Sequence, residues 1–170
     1  MLTLLASRPP TLGAGRLLCI DGPAGSGKTT LAAAVVAASP GSRVVHLDDL
    51  LDGWTGLPGV AVRLDPLLSP LRRGEPGHYE RYDWDAGRFA AMVPVEPTPL
   101  LVLEGVGAGS RRHASLATAL VWVEVDDDLR LARGLQRDGE AARPHWERWM
   151  LDERRHFLDE DTRARADMIV

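Results

Sequence analysis

An α/β fold, with helices on both sides of a five-stranded parallel sheet, is what the 170-residue sequence predicts. Apolar runs of strand length recur along the chain, helical stretches fall between them, and each run ends in an acidic residue. One of these runs passes directly into Gly22-Pro23-Ala24-Gly25-Ser26-Gly27-Lys28-Thr29, a complete match to G-x-x-x-x-G-K-[ST]. Near-continuous apolar runs suit strands covered on both faces, which is the condition of a parallel sheet.

The elements follow in order. Residues 1–15 form an arm punctuated by proline and glycine, with no element assigned. Residues 16–20 form the first strand and 29–38 an apolar helix, so the glycine loop has a strand before it and a helix after it. The second strand, 43–47, ends at Asp48-Asp49. Between Asp52 and Pro99, proline, glycine and aromatics predict a substrate-binding insertion within one domain, with helices near 64–72 and 84–92. The third strand, 100–103, ends at Glu104-Gly105, and Gly105-Val106-Gly107-Ala108-Gly109 is expected to be a flexible loop. A helix near 112–118, a strand over 120–125, helices over 126–138 and 144–160 and a last strand at 168–170 complete the chain.

The glycine loop defines the three-layer P-loop NTPase fold. Gly22, Gly25 and Gly27 admit backbone conformations in which successive N–H groups face an anion, and the following helix adds its partial positive end. Lys28 is the only lysine, beside 19 arginines. A compact ammonium on a flexible stem folds over such a loop, whereas a planar guanidinium does not fit it. The nucleotide-binding residues are therefore Gly22, Pro23, Ala24, Gly25, Ser26, Gly27, Lys28, Thr29 and Thr30, the ligand is ATP, and Thr29 is placed to give its hydroxyl to Mg2+. Ligands of open α/β sheets bind beyond the C-terminal strand ends, where Asp48, Asp49 and Glu104 would join the loop.

Composition narrows the function further. With 45% apolar and 26% charged residues the chain is an ordinary globular domain, and a net charge of −4 argues for a small-molecule partner over nucleic acid. The single Cys19 fits a reducing compartment, and no export signal or membrane span is visible, so a cytoplasmic protein is expected. Oligomeric state stays open, a homodimer included. A GTP switch reads its base with Asn-Lys-x-Asp, which needs a second lysine, and Leu-Ser-Gly-Gly of transporters is absent. A small-molecule kinase remains.

Taken in order, Gly22 to Thr30, Val44 to Asp49, Tyr82-Asp83, Glu104-Gly105, Arg130 to Asp138 and Ala166 to Val170 resemble the uridine kinase-like nucleoside kinases, a group that includes phosphoribulokinase. The resemblance implies that Asp48 orients the acceptor hydroxyl and takes its proton, that Glu104 contacts the metal, and that Tyr82 and Asp83 hold a nucleoside, with Trp54 and Trp84 adding stacking surface. It also implies a lid over about 130–145, in which Arg133, Arg137 and Arg143 meet the phosphates, Arg137 at the transferred group. Arg130 lies on the same helical face. The family's aromatic pair after the second-strand acid is Leu50-Leu51 here, and the lid loop shortens to Gly139-Glu140-Ala141-Ala142-Arg143. A monophosphate or other small-molecule acceptor, held by Arg63, Arg72, Arg73, Arg81 and Arg88, and a regulatory module without transfer are the alternatives.

Overall fold

In the computed structural model, which describes residues 1–170, alternate strand residues divide between two apolar layers. The chain runs through α1 (Leu2–Ser7), β1 (Arg16–Asp21), α2 (Lys28–Ala37), β2 (Arg43–His46), α3 (Val60–Arg63), α4 (Asp65–Arg72), β3 (Gly77–Asp83) and β4 (Arg88–Val95). It continues through β5 (Leu100–Glu104), β6 (Ala119–Trp122), α5 (Asp127–Asp138), α6 (Arg143–Glu160), α7 (Thr162–Arg165) and β7 (Met168–Ile169). Five parallel strands pair in the order β2-β5-β1-β6-β7. Leu18, Ile20, Val102 and Val121 pack on one side beneath Ala32 and Val35 of α2 and Leu5 of α1. Leu17, Cys19, Val45, Leu101 and Leu103 pack on the other beneath α3, α4 and Trp149 of α6. The three-layer α/β fold is thus as the sequence predicts, and no helix is long and apolar enough to cross a membrane.

Several elements differ from expectation. The unassigned arm contains α1, anchored by buried Leu5. The helix expected near 84–92 is instead the turn and second strand of an antiparallel hairpin, β3–β4. Asp83 sets that turn, its Oδ1 accepting from the amides of Asp85 (3.0 Å) and Ala86 (2.9 Å), and Gly87 completes it at φ 65°. Such an Asx turn competes with helix for the same residues. The expected helix near 112–118 is a 3-10 segment over Arg111–Leu116, begun by Ser110, whose hydroxyl accepts from the Arg112 amide. The strand expected over 120–125 stops at Trp122, beyond which Glu124 bonds the terminal Val170.

Gly134 allows α5 and α6 to meet. A Cβ there would lie 2.3 Å from Cζ2 of Trp146, a fully buried indole. Alanine in a helix interior ordinarily gains about 1 kcal/mol over glycine. Here Gly134→Ala is expected to destabilise instead, by about 1–3 kcal/mol in urea unfolding, because overpacking dominates.

Candidate functional site

At the C-terminal edge of the sheet a cleft of about 610 Å3 opens above the glycine loop. Gly22, Gly25 and Gly27 hold φ of 142°, 79° and 104°. A Cβ on Gly27 would enter empty space, so the loop is concave on that side. The amides of Gly25, Gly27, Lys28, Thr29 and Thr30 find no acceptor in the protein, which leaves five donors around one hollow. That is an anion cradle. Lys28 bridges it, its ammonium donating to the Pro23 carbonyl at 2.8 Å. Burial lowers the Lys28 pKa, against the opposing pull of Asp21, Asp48, Glu104 and Glu153.

Not every loop residue faces the hollow. Gly22 donates to Asp21 (2.7 Å), Ala24 to Glu153 (2.9 Å) and Ser26 to Pro23 (3.2 Å), while Pro23 has no amide proton. These four positions, expected among the nucleotide contacts, direct their backbone groups into the protein. The Ser26 hydroxyl is buried without a partner.

Strand register assembles the acids. Glu104 ends β5 opposite His46 of β2 and Ile20 of β1, and its Oε1 meets His46 Nδ1 at 2.5 Å and accepts from the Thr29 hydroxyl at 3.1 Å. A hydroxyl and a carboxylate oxygen side by side fit Mg2+, which takes one or two protein ligands and completes its octahedron with phosphate and water. No tighter cluster of three or more His, Cys, Asp or Glu side chains exists. Asp48, on the 3-10 turn Leu47–Leu50 after β2, lines the same cleft. Its residue surface is open to solvent, but protein packs densely around the carboxyl group. That burial, with the charge of Glu104, raises its pKa against the effects of Lys28, Arg137 and His46. Asp49 also lines the cleft and accepts from the Tyr79 hydroxyl at 3.3 Å.

Aromatics form the wall opposite the cradle. Trp54, Trp84, Trp146 and Trp149 all line the cleft, and the Trp54 ring meets the other three edge-on at 5.9–6.2 Å. Trp84, at the tip of the β3–β4 hairpin, donates to the Asp48 carbonyl at 3.1 Å. Beside Trp54 and Trp84, Tyr82 and Asp83 were expected here. Neither lines the cleft: Tyr82 packs on Trp84 and Phe89, and Asp83 is occupied by the hairpin turn.

The arginines expected in a lid separate into distinct roles. Arg133 donates to the Gly25 carbonyl at 3.2 Å and lines the cleft with Arg137, which forms two bonds to Asp138 (2.7 and 2.9 Å). Arg143 lies outside the cleft, paired with Glu140 and Glu147 in solvent. Arg130 is not on an open face at all: it is 3% exposed and bonded to Glu153 and Asp127. Arg63, Arg72, Arg73, Arg81 and Arg88 also lie outside, Arg63 stacked 4.0 Å over Phe89.

Two buried acids escaped sequence reading. Asp21 is fully buried and accepts from the amides of Gly22 (2.7 Å), Gly107 (3.0 Å) and Gly109 (2.8 Å). Residues 105–109 are consequently a buried, bonded turn and not the flexible loop expected. Glu153 accepts from Ala24, Arg130 and, at 3.1 Å, the Trp149 indole. It ties α6 to the glycine loop and to the aromatic wall.

Comparison with known proteins bears on family and fold. The family model described as phosphoribulokinase / uridine kinase matches residues 63–148, half of the chain. Among solved structures, a possible uridine kinase from Bacillus stearothermophilus superposes with a TM-score of 0.65 at 19% identity, over 99% of this chain and 93% of that one. Protein TT1252 from Thermus thermophilus gives 0.49 at 20% identity, over 91% and 87% of the two chains. Shikimate kinase from Bacteroides thetaiotaomicron gives 0.47 at 15%, over 91% and 84%. A search of the curated proteins yielded no match. With half its length matched by that model, on a sheet that carries a P-loop beside an acid-lined cleft, the chain belongs to the phosphoribulokinase/uridine kinase family of P-loop kinases.

Proposed function

We propose that this kinase moves the γ-phosphoryl group of ATP, with Mg2+, to a hydroxyl of a nucleoside of the uridine or cytidine kind or a similar small metabolite. The observation that carries the proposal is one cleft with five free amides and Lys28 on one side and the Asp48 carboxylate on another. Lys28 and the amides of Gly25, Gly27, Thr29 and Thr30 hold the triphosphate. Thr29 and Glu104 hold the metal, which when bound neutralises charge on the phosphates. Asp48 accepts the acceptor's proton and aims its oxygen, while Arg133 and Arg137 face the charge that develops on the transferred group. Trp54, Trp84 and Trp149 offer faces and edges to a planar base. The chain acts as one domain, with residues 52–99 as the acceptor insertion and 130–145 as the lid, and works in the cytoplasm, in keeping with its single unpaired cysteine.

A monophosphate acceptor would need a second anion pocket, and the arginines that could build one stand outside the cleft. ADP release across nucleosides, nucleoside monophosphates and sugars tests the reading: turnover is expected with a nucleoside or a similar neutral alcohol. Turnover confined to monophosphates, or none with any acceptor, would overturn it. Lys28→Ala is expected to weaken ATP binding about 10- to 100-fold and to lower the rate as well, because hydrogen bonds to a charged group contribute about 1.5–3 kcal/mol. Calorimetric titration beside the ADP-release assay checks both.

A further inference from the structure

A second cavity, of about 260 Å3, shares no lining residue with the cleft. Arg8, Cys19, Gly109, His113, Arg165 and Asp167 are among the residues around it. Its volume falls below the roughly 300–1,000 Å3 of sites for larger organic ligands, which excludes a nucleotide.

The polar groups on its wall are unbalanced. Arg165, at the end of α7, uses Nη2 on the Gly109 carbonyl, while its Nε and Nη1 are buried without any acceptor. Asp167, the carboxylate on this wall, is already engaged by Arg8 at 2.6 Å and by the Leu120 amide at 2.9 Å. Burial pushes the Cys19 thiol up to about 12, so it stays neutral. His113 is bonded through Nε2 to Asp65 at 2.9 Å, and its Nδ1 is buried with no partner. A carboxylate only accepts, so Nε2 carries a proton, and Nδ1 is left without a partner.

A guanidinium with two adjacent buried N–H groups and no counter-charge is costly unless something with paired oxygens meets it. The unpartnered Nδ1 of His113 belongs to the same cavity lining. A phosphate group brings paired oxygens for the arginine and a further oxygen or P–OH for the histidine, both of which line the cavity. A simple carboxylate satisfies the arginine alone.

We propose that this cavity is a second anion site, which takes a phosphate group, either free inorganic phosphate or the head of a small phosphate ester. The occupant is not a reactant, because the cavity and the cleft have no residue in common. Titration of inorganic phosphate, at matched chloride, into protein saturated with a non-hydrolysable ATP analogue tests this, since the analogue fills the P-loop. One phosphate per chain is expected. Arg165→Gln should weaken that binding about tenfold or more, whether or not the analogue is present. Ala114→Leu, an exposed change at the cavity wall, should weaken it too and does not threaten folding. Tighter binding of glycerol phosphate than of phosphate would mark an ester as the ligand, and the reverse would mark the free anion. No phosphate uptake by the analogue-saturated protein overturns the proposal, as does a variant that titrates like the wild type; should Arg165→Gln fail to fold, Ala114→Leu decides alone.

Discussion

Asp48→Asn is expected to lower kcat by about 10²–10⁴-fold, the usual contribution of a positioned proton acceptor. ATP binding should stay the same or tighten. Asparagine keeps the shape of the side chain and removes only a charge, and that charge stands in a cleft where a triphosphate must also settle. The pH profile gives a second readout. Burial holds the Asp48 pKa above its ordinary value of about 3.9, and only the ionised form accepts a proton. Activity should therefore rise with pH through that raised value, and the acid limb should vanish in the variant.

Stability should move the other way. A carboxyl whose folded pKa is raised above the unfolded one contributes stability that is complete below the unfolded pKa and is lost as pH rises through the folded one. At neutral pH the ionised Asp48 thus costs stability, and Asp48→Asn should unfold at higher urea than the wild type. Lower activity with higher stability is the signature of a residue retained for chemistry. Full turnover in the variant would remove Asp48 from the role.

What could be read from the sequence was what neighbours in the chain determine. The glycine loop, the strands behind it and the acids at their ends are local patterns, and all stand within a residue or three of where periodicity put them. The hairpin was lost because Ala90-Ala91-Met92 suits a helix as well as a strand, and pairing with Glu80 and Arg81 decides the matter. Asp21 and Glu153 were lost for a different reason. Their partners lie 86, 88, 129 and 23 positions away, and nothing in an isolated aspartate or glutamate announces burial. A signal for Arg130 did exist: it leads a face that includes Gly134, and a glycine in mid-helix marks close packing against another element. Of the aromatic wall, Trp54 and Trp84 were legible and Tyr82 was wrongly added to them, because a shift in register along a hairpin exchanges which ring points inward.

Glu153→Ala should cost about 3–5 kcal/mol in urea unfolding, the largest loss expected from any single truncation around the site. Glu153 is 1% exposed and Arg130 3%, so removing the acid strands a buried guanidinium. It also leaves the Ala24 amide and the Trp149 indole without their acceptor. Asp127 still holds Arg130 Nε at 2.8 Å, but this acid is half exposed and compensates only in part. Glu153→Gln keeps an acceptor oxygen and loses the charge, so it should fall between wild type and alanine. Replacing both members, as Arg130→Met with Glu153→Met, removes the two buried charges together and should recover most of the stability, since a buried ion pair is often no better than well-packed apolar side chains. The pair of methionines cannot restore a bond to Ala24, however. If Glu153 positions the phosphate loop, the double variant should regain most of its urea midpoint and still bind ATP more weakly than the wild type. Recovery of both would make the acid a partner for Arg130 and nothing more.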